Sequence, residues 1–165
     1  MPEFPEAAAM PQAGASSSRA YQFAPPVLQT RLDNGLDVVV LPDTRSEAVT
    51  HMVWYKNGSV DDPMGKSGVA HFLEHLMFKG TPNVSAEAFR KTVARAGGMF
   101  NAFTGPSVTC YFEQVTRDIL PKCMGFEADR MQNLVFDAAV SAAEREVILA
   151  ERGQMVEADP GRLLD

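Results

Sequence analysis

Cysteine is scarce in this sequence, with only Cys110 and Cys123 among 165 residues. Two are too few for a disulfide framework or a thiolate zinc ribbon, and one pair leaves the redox compartment unassigned. Positive charge is also short: 15 Lys and Arg stand against 21 Asp and Glu, a net charge of −6. A nucleic acid or an anionic membrane surface calls for a basic patch, so neither is expected as a partner. Long apolar runs are missing as well, because charges interrupt every apolar stretch before the roughly 18 residues of a spanning helix are reached. What is present, 45% apolar side chains over 165 residues, suffices for one soluble globular domain with a core and not for two ordinary ones.

Residues 1–26, rich in Pro, Ala and Ser and without a sustained period, read as a flexible N-terminal arm. They lack the charged start and apolar stretch of a signal peptide, and two early Glu argue against a transit peptide. A bacterial periplasm or cytoplasm is favoured over an organelle. From Val27 the texture changes. Val27 to Leu32 and Leu36 to Leu41 flank Asp33-Asn34-Gly35, a hairpin turn, and Ala48 to Tyr55 reads as a third strand ending at Asn57-Gly58. Ser67 to Phe78 shifts to helical spacing, and Ser85 caps a second helix that runs to Arg95 and ends at Gly97-Gly98. Met99 to Thr104 and Ser107 to Val115 read as two strands around Gly105-Pro106. A helix from Thr116 or Arg117 to about Leu134 follows, and a last one starts after Asp137 or Ser141 and carries Val147, Ile148 and Met155. Hairpins among helices predict the α+β class, an antiparallel sheet with helices packed on one side.

The informative segment is His71-Phe72-Leu73-Glu74-His75 on the first predicted helix. At i, i+3 and i+4 the two imidazoles and the carboxylate leave one helix face at neighbouring heights. Two neutral imidazoles so placed can bind one Zn²⁺, and catalytic zinc needs a third protein ligand and an open position for water. Glu74 is placed to take the proton of that water. A shuffled chain with these 3 His would carry this pattern about 0.004 times, which outweighs the alternative of two solvent-facing histidines on an amphipathic helix. The third ligand must come from elsewhere, and Glu144 and Glu151 lie two turns apart on one face of the last helix. Ser141-Ala142-Ala143-Glu144 also fits a capping box, and Glu151 also fits an exposed glutamate pairing with Arg145 or Arg152. Spacing alone does not choose between the two glutamates. His51 lies on a strand and is left out of the site. Cys110 reads as a buried apolar thiol, and Phe103 and Tyr111 as packing residues.

Three blocks, GVAHFLEHLMFKGT, AGGMFNAFTGPSVTCYFE and EREVILAE, resemble successive blocks of the pitrilysin family, which includes insulin-degrading enzyme and mitochondrial processing peptidase. The resemblance covers Val27 to Asp165. It implies an inverzincin zinc endopeptidase with one Zn²⁺ per site, His71, His75 and Glu151 as ligands, Glu74 as general base and Glu144 in support. It also implies that the strand through Asn101 and Ala102 holds the peptide substrate extended, by β-augmentation. Members of the family enclose substrate between two similar halves. Residues 27–165 therefore read as the N-terminal part of a catalytic domain, completed by further polypeptide or by a second family subunit in a homo- or heterodimer. A non-catalytic assembly subunit and a small-molecule zinc lyase of similar fold are the alternatives. The intact motif argues against the first, and the Asn101 block and late glutamate pair against the second.

Overall fold

The computed structural model describes residues 27–154. The predicted arm over 1–26 and the segment with Met155 at the end of the last predicted helix lie outside them. Contacts divide the chain into two units at Arg45 and Ser46. In the first, β1 (Leu28–Arg31) and β2 (Asp37–Val40) form an antiparallel hairpin in the register Leu28 to Val40. Its loop is the one the Asn-Gly pair predicts: Gly35 has a φ of 88°, open to glycine without strain, and Asn34 Oδ1 accepts the Leu36 N–H at 3.1 Å.

The second unit holds a three-stranded antiparallel sheet ordered β3 (Ala48–Tyr55), β5 (Thr109–Thr116), β4 (Met99–Thr104). Strand periodicity sorts its side chains cleanly. Val49, His51, Val53, Tyr55, Phe100, Ala102 and Thr104 are half-buried on the face shared with buried Thr109, Tyr111, Glu113 and Val115. On the opposite face Met52, Trp54, Met99, Asn101 and Phe103 are exposed, and Trp54 meets Phe103 edge-on at 5.6 Å across the intervening Cys110. Cys110 and Cys123 are both fully buried, and burial pushes each thiol up to about 11. Both behave as small apolar groups.

Among the described residues four α-helices complete the unit: α1 (Val69–Leu76), α2 (Ala86–Arg95), α3 (Leu120–Asn133) and α4 (Ala138–Arg152). The core lies between the inward sheet face and α2 and α3. Phe89, Val93, Val115 and Cys123 are its buried centre, with Phe78, Phe100 and Phe126 packed around them. Phe89 stands edge-on to Phe100 at 4.9 Å and to Phe126 at 5.6 Å. Each ring removed from water stabilises the fold by about 1.5–3 kcal/mol. Ser85 caps α2 as predicted, its Oγ accepting the Ala88 N–H at 3.2 Å. Helix α3 starts later than the expected Thr116 or Arg117. Pro121 lacks an N–H and fits only the first turn, so a separate turn from Thr116 to Ile119 precedes the helix. No helix of the described residues is long and apolar enough to cross a membrane.

Candidate metal centre

Helix α1, which carries His71, Glu74 and His75, follows Gly68, whose φ of 95° favours glycine and leaves the helix start without a capping side chain. Asp62 supplies the cap from the preceding loop. Its Oδ2 accepts the Gly68 N–H at 2.7 Å and its Oδ1 the Ala70 N–H at 2.8 Å. The carboxylate thereby satisfies two orphan donors and faces the positive end of the helix dipole. The loop is itself held against the β4–β5 turn, since Ser59 N–H and Val60 N–H donate to the carbonyls of Gly105 and Pro106 at 3.1 and 2.9 Å. Gly58 permits this approach; a Cβ there would sit 2.4 Å from the Gly105 oxygen.

Helix α4 brings the carboxylates. Asp137 caps it, with Oδ1 accepting the Val140 N–H at 2.9 Å, so the helix begins at Ala138 and Ser141 lies inside it. The capping-box role considered for Glu144 is thereby excluded, because Glu144 sits two turns into the helix. Its side chain turns to α1 instead. Glu144 Oε1 accepts from His75 Nδ1 at 2.8 Å, while Oε2 pairs with Lys79. Burial alone would raise the Glu144 carboxyl, but Lys79 and His75 outweigh it and hold the group below its ordinary value. An ionised carboxylate only accepts, so Nδ1 of His75 carries a proton, and in the neutral imidazole the lone pair is then on Nε2.

That lone pair points at two other donor atoms. His75 Nε2 lies 3.2 Å from His71 Nε2 and 3.5 Å from Glu151 Oε2, and His71 Nε2 lies 3.9 Å from the same oxygen. The three converge within 4.8 Å of one another. A tetrahedral ion with ligands at about 2.0–2.1 Å requires its donor atoms about 3.3–3.4 Å apart. Two imidazoles and one carboxylate, with one imidazole fixed in its tautomer by a second carboxylate, are a donor set that fits Zn²⁺. His71 and Glu151 are over a third exposed, and they border an open groove of about 850 Å³ between the α1 start and α4, lined also by Lys66, Phe72, Ile148 and Leu149.

Glu74 is buried at 8% exposure and leans to the sheet, where Oε2 accepts the Thr104 hydroxyl at 2.5 Å. Asn101 and Ala102 lie on β4, at the sheet edge, and face opposite ways. Asn101 is exposed, with Oδ1 accepting the Ala102 N–H at 2.9 Å, while the Ala102 side chain faces the helices. The structure thus gathers His71, His75, Glu144 and Glu151 in one cluster and places Asn101 and Ala102 on a separate edge strand.

A second polar cluster, absent from the sequence reading, lies between the inward sheet face and α3. His51, which that reading left outside the site, meets the fully buried Glu113 at 3.1 Å from Nδ1. Glu127 and Arg130 of α3 are buried beside it, with Arg130 Nε donating to Glu127 Oε2 at 2.8 Å and its guanidinium 4.3 Å from the Tyr111 ring centre. Burial pushes the Glu127 carboxyl up to about 9, while the contact with His51 holds Glu113 low against its own burial. One signal was available: the alternation Tyr111, Glu113, Val115 puts a carboxylate on the inward face of a strand.

Two histidines and a carboxylate converging from facing helices of an α+β domain define a candidate centre for a tetrahedral metal ion. Residues 38–165 match the model of the insulinase family (peptidase family M16), and the chain belongs to that family. The zinc protease PqqE of Helicobacter pylori is 38% identical over 138 residues, 83% of this chain and 31% of that relative. The mitochondrial-processing peptidase subunit beta of Dictyostelium discoideum is 34% identical over 131 residues, 79% of this chain and 28% of that relative. Among solved structures, a protease from Helicobacter pylori superposes with a TM-score of 0.81 at 37% identity over 86% of this chain and 34% of its own. Pitrilysin superposes with 0.71 at 28% identity, over 78% of this chain and 14% of its own. The chain spans about a third of the length of the curated relatives it matches.

Proposed function

We propose that residues 27–165 are the N-terminal part of the catalytic domain of a zinc endopeptidase that hydrolyses extended peptides or unfolded segments. The convergence of His71, His75 and Glu151 donor atoms within 4.8 Å, one helix position from Glu74, carries this reading. His71 Nε2, His75 Nε2 and Glu151 Oε2 hold the ion. Glu144 keeps His75 in the tautomer that leaves Nε2 free, and Lys79 keeps Glu144 ionised. Zinc bound there supplies Lewis acidity, polarising the scissile carbonyl and making a nearby water more acidic. Glu74 takes the proton of the attacking water and returns it to the leaving amine nitrogen.

The edge of β4, unpaired among the described residues, binds substrate by adding it as a strand, with backbone groups supplying affinity at any sequence and Asn101 and Ala102 marking the register. An open groove beside the donor atoms suits a chain-like substrate better than the closed pocket a small-molecule lyase would use. The remainder of the chamber comes from further polypeptide or a second family subunit, in a homo- or heterodimer. The Dictyostelium relative is itself named as a subunit.

The test uses the complete polypeptide, with its partner subunit where there is one, and an unstructured peptide mixture. Glu74→Gln retains stoichiometric zinc and loses at least about 100-fold in turnover. Glu151→Gln loses zinc on dialysis. Equal zinc loss in the two variants contradicts the assignment of roles.

A further inference from the structure

We infer that Thr104 is a positioning residue that fixes the Glu74 carboxylate and ties it to the strand proposed to carry substrate. The inference rests on the reading of Glu74 as the general base. Thr104 closes β4, three residues beyond Asn101, and its side chain is on the inward face. Its Oγ1 lies 2.5 Å from Glu74 Oε2, within the short range of a hydroxyl donating to a carboxylate.

The competing acceptor for that single proton is Thr109 Oγ1, the cross-strand partner, at 3.5 Å. Thr109, 5% exposed, spends its own proton on the Asn57 carbonyl at 2.9 Å, so it cannot donate to Thr104 at the same time. The Thr104 proton is therefore directed to Glu74. Oε1 of Glu74 has no hydrogen-bond partner among the described residues, which leaves one oxygen anchored and the other available to a water. A glutamate in a helix has three side-chain torsions, and α1 alone would not select one carboxylate orientation. Anchoring through Thr104 does so. It also places the base and the strand-bound peptide in one frame, because the residue that orients the carboxylate is part of β4 itself.

The experiment compares kcat, KM and zinc content of the complete, zinc-loaded enzyme with those of Thr104→Val and Thr104→Ser. Thr104→Val keeps the shape and removes the donor. It is expected to lower kcat by about 10- to 100-fold with KM within about twofold and zinc unchanged, while Thr104→Ser restores kcat to within about threefold of wild type. Should Thr104→Val not fold, Thr104→Ala against Thr104→Ser makes the same comparison, since the two differ only in the hydroxyl. Wild-type kcat without the hydroxyl, or an equal loss in the serine variant, overturns the inference. Glu74→Gln is run beside them. If it keeps turnover, the reading of Glu74 as general base has failed; if it is inactive while Thr104→Val is not, the positioning role alone has failed.

Discussion

Among the described residues two histidines meet a glutamate through Nδ1, and they differ in what the rest of the imidazole faces. At His75 the Nδ1 contact to Glu144 is 2.8 Å, and at His51 the Nδ1 contact to Glu113 is 3.1 Å, with both imidazoles about a fifth exposed. Beyond His75, Nε2 meets a second imidazole and a carboxylate that are over a third exposed beside an open groove. Beyond His51 the polar groups lie behind its partner instead: Glu113, Glu127 and Arg130 are each under a tenth exposed. The same pair orients a candidate ligand in one place and compensates a buried charge in the other. The donor atoms left over, and their access to solvent, decide which.

The largest expected effect separates the two pairs outright. Replacing His75 by Leu abolishes stoichiometric zinc and all cleavage, whereas His51→Leu keeps both and costs about 1–3 kcal/mol in unfolding free energy by leaving Glu113 without a partner. Metal analysis and denaturant unfolding of the two variants measure the contrast. Next, Arg130→Met leaves the buried Glu127 carboxyl without its hydrogen-bond donor and costs about 1–3 kcal/mol, with zinc per folded molecule unchanged. A smaller effect belongs to the first pair: Glu144→Ala weakens zinc about 10- to 100-fold in a competition titration, because the His75 Nδ1–H then lacks its acceptor.

A pH dependence sets the second cluster apart further. Burial raises the Glu127 carboxyl from 4.5 to about 9, so its contribution to stability is complete below pH 4.5 and is lost as pH rises to about 9. Glu113, held low, works in the opposite direction and loses its contribution as pH falls below its ordinary value. Glu127→Gln should therefore gain on wild type between about pH 5 and 9, which melting curves across that range will follow.

Local patterns were readable without the structure. The i, i+3, i+4 spacing put His71, Glu74 and His75 on one helix face, and the Asn-Gly turn and the Ser85 cap marked their elements. Glu144 and Glu151, two turns apart, share a helix face, so spacing does not choose between them; in the packed structure Glu144 meets His75 Nδ1 and Glu151 lies by both Nε2 atoms. Asp62 capping α1 and Thr104 reaching Glu74 were illegible for the same reason. Each is a contact between elements whose relative placement the sequence does not encode locally. Asp137 and Ser141 both offer a start for the last helix in sequence, and the structure takes Asp137, whose Oδ1 accepts the Val140 N–H.

The most direct measurement is zinc-edge X-ray absorption on the complete, zinc-loaded protein. The account predicts a shell of nitrogen and oxygen only, at about 2.0–2.1 Å, with the scattering of two imidazoles, unchanged in His51→Leu. Sulfur in the shell, or a third imidazole lost in His51→Leu, would contradict it.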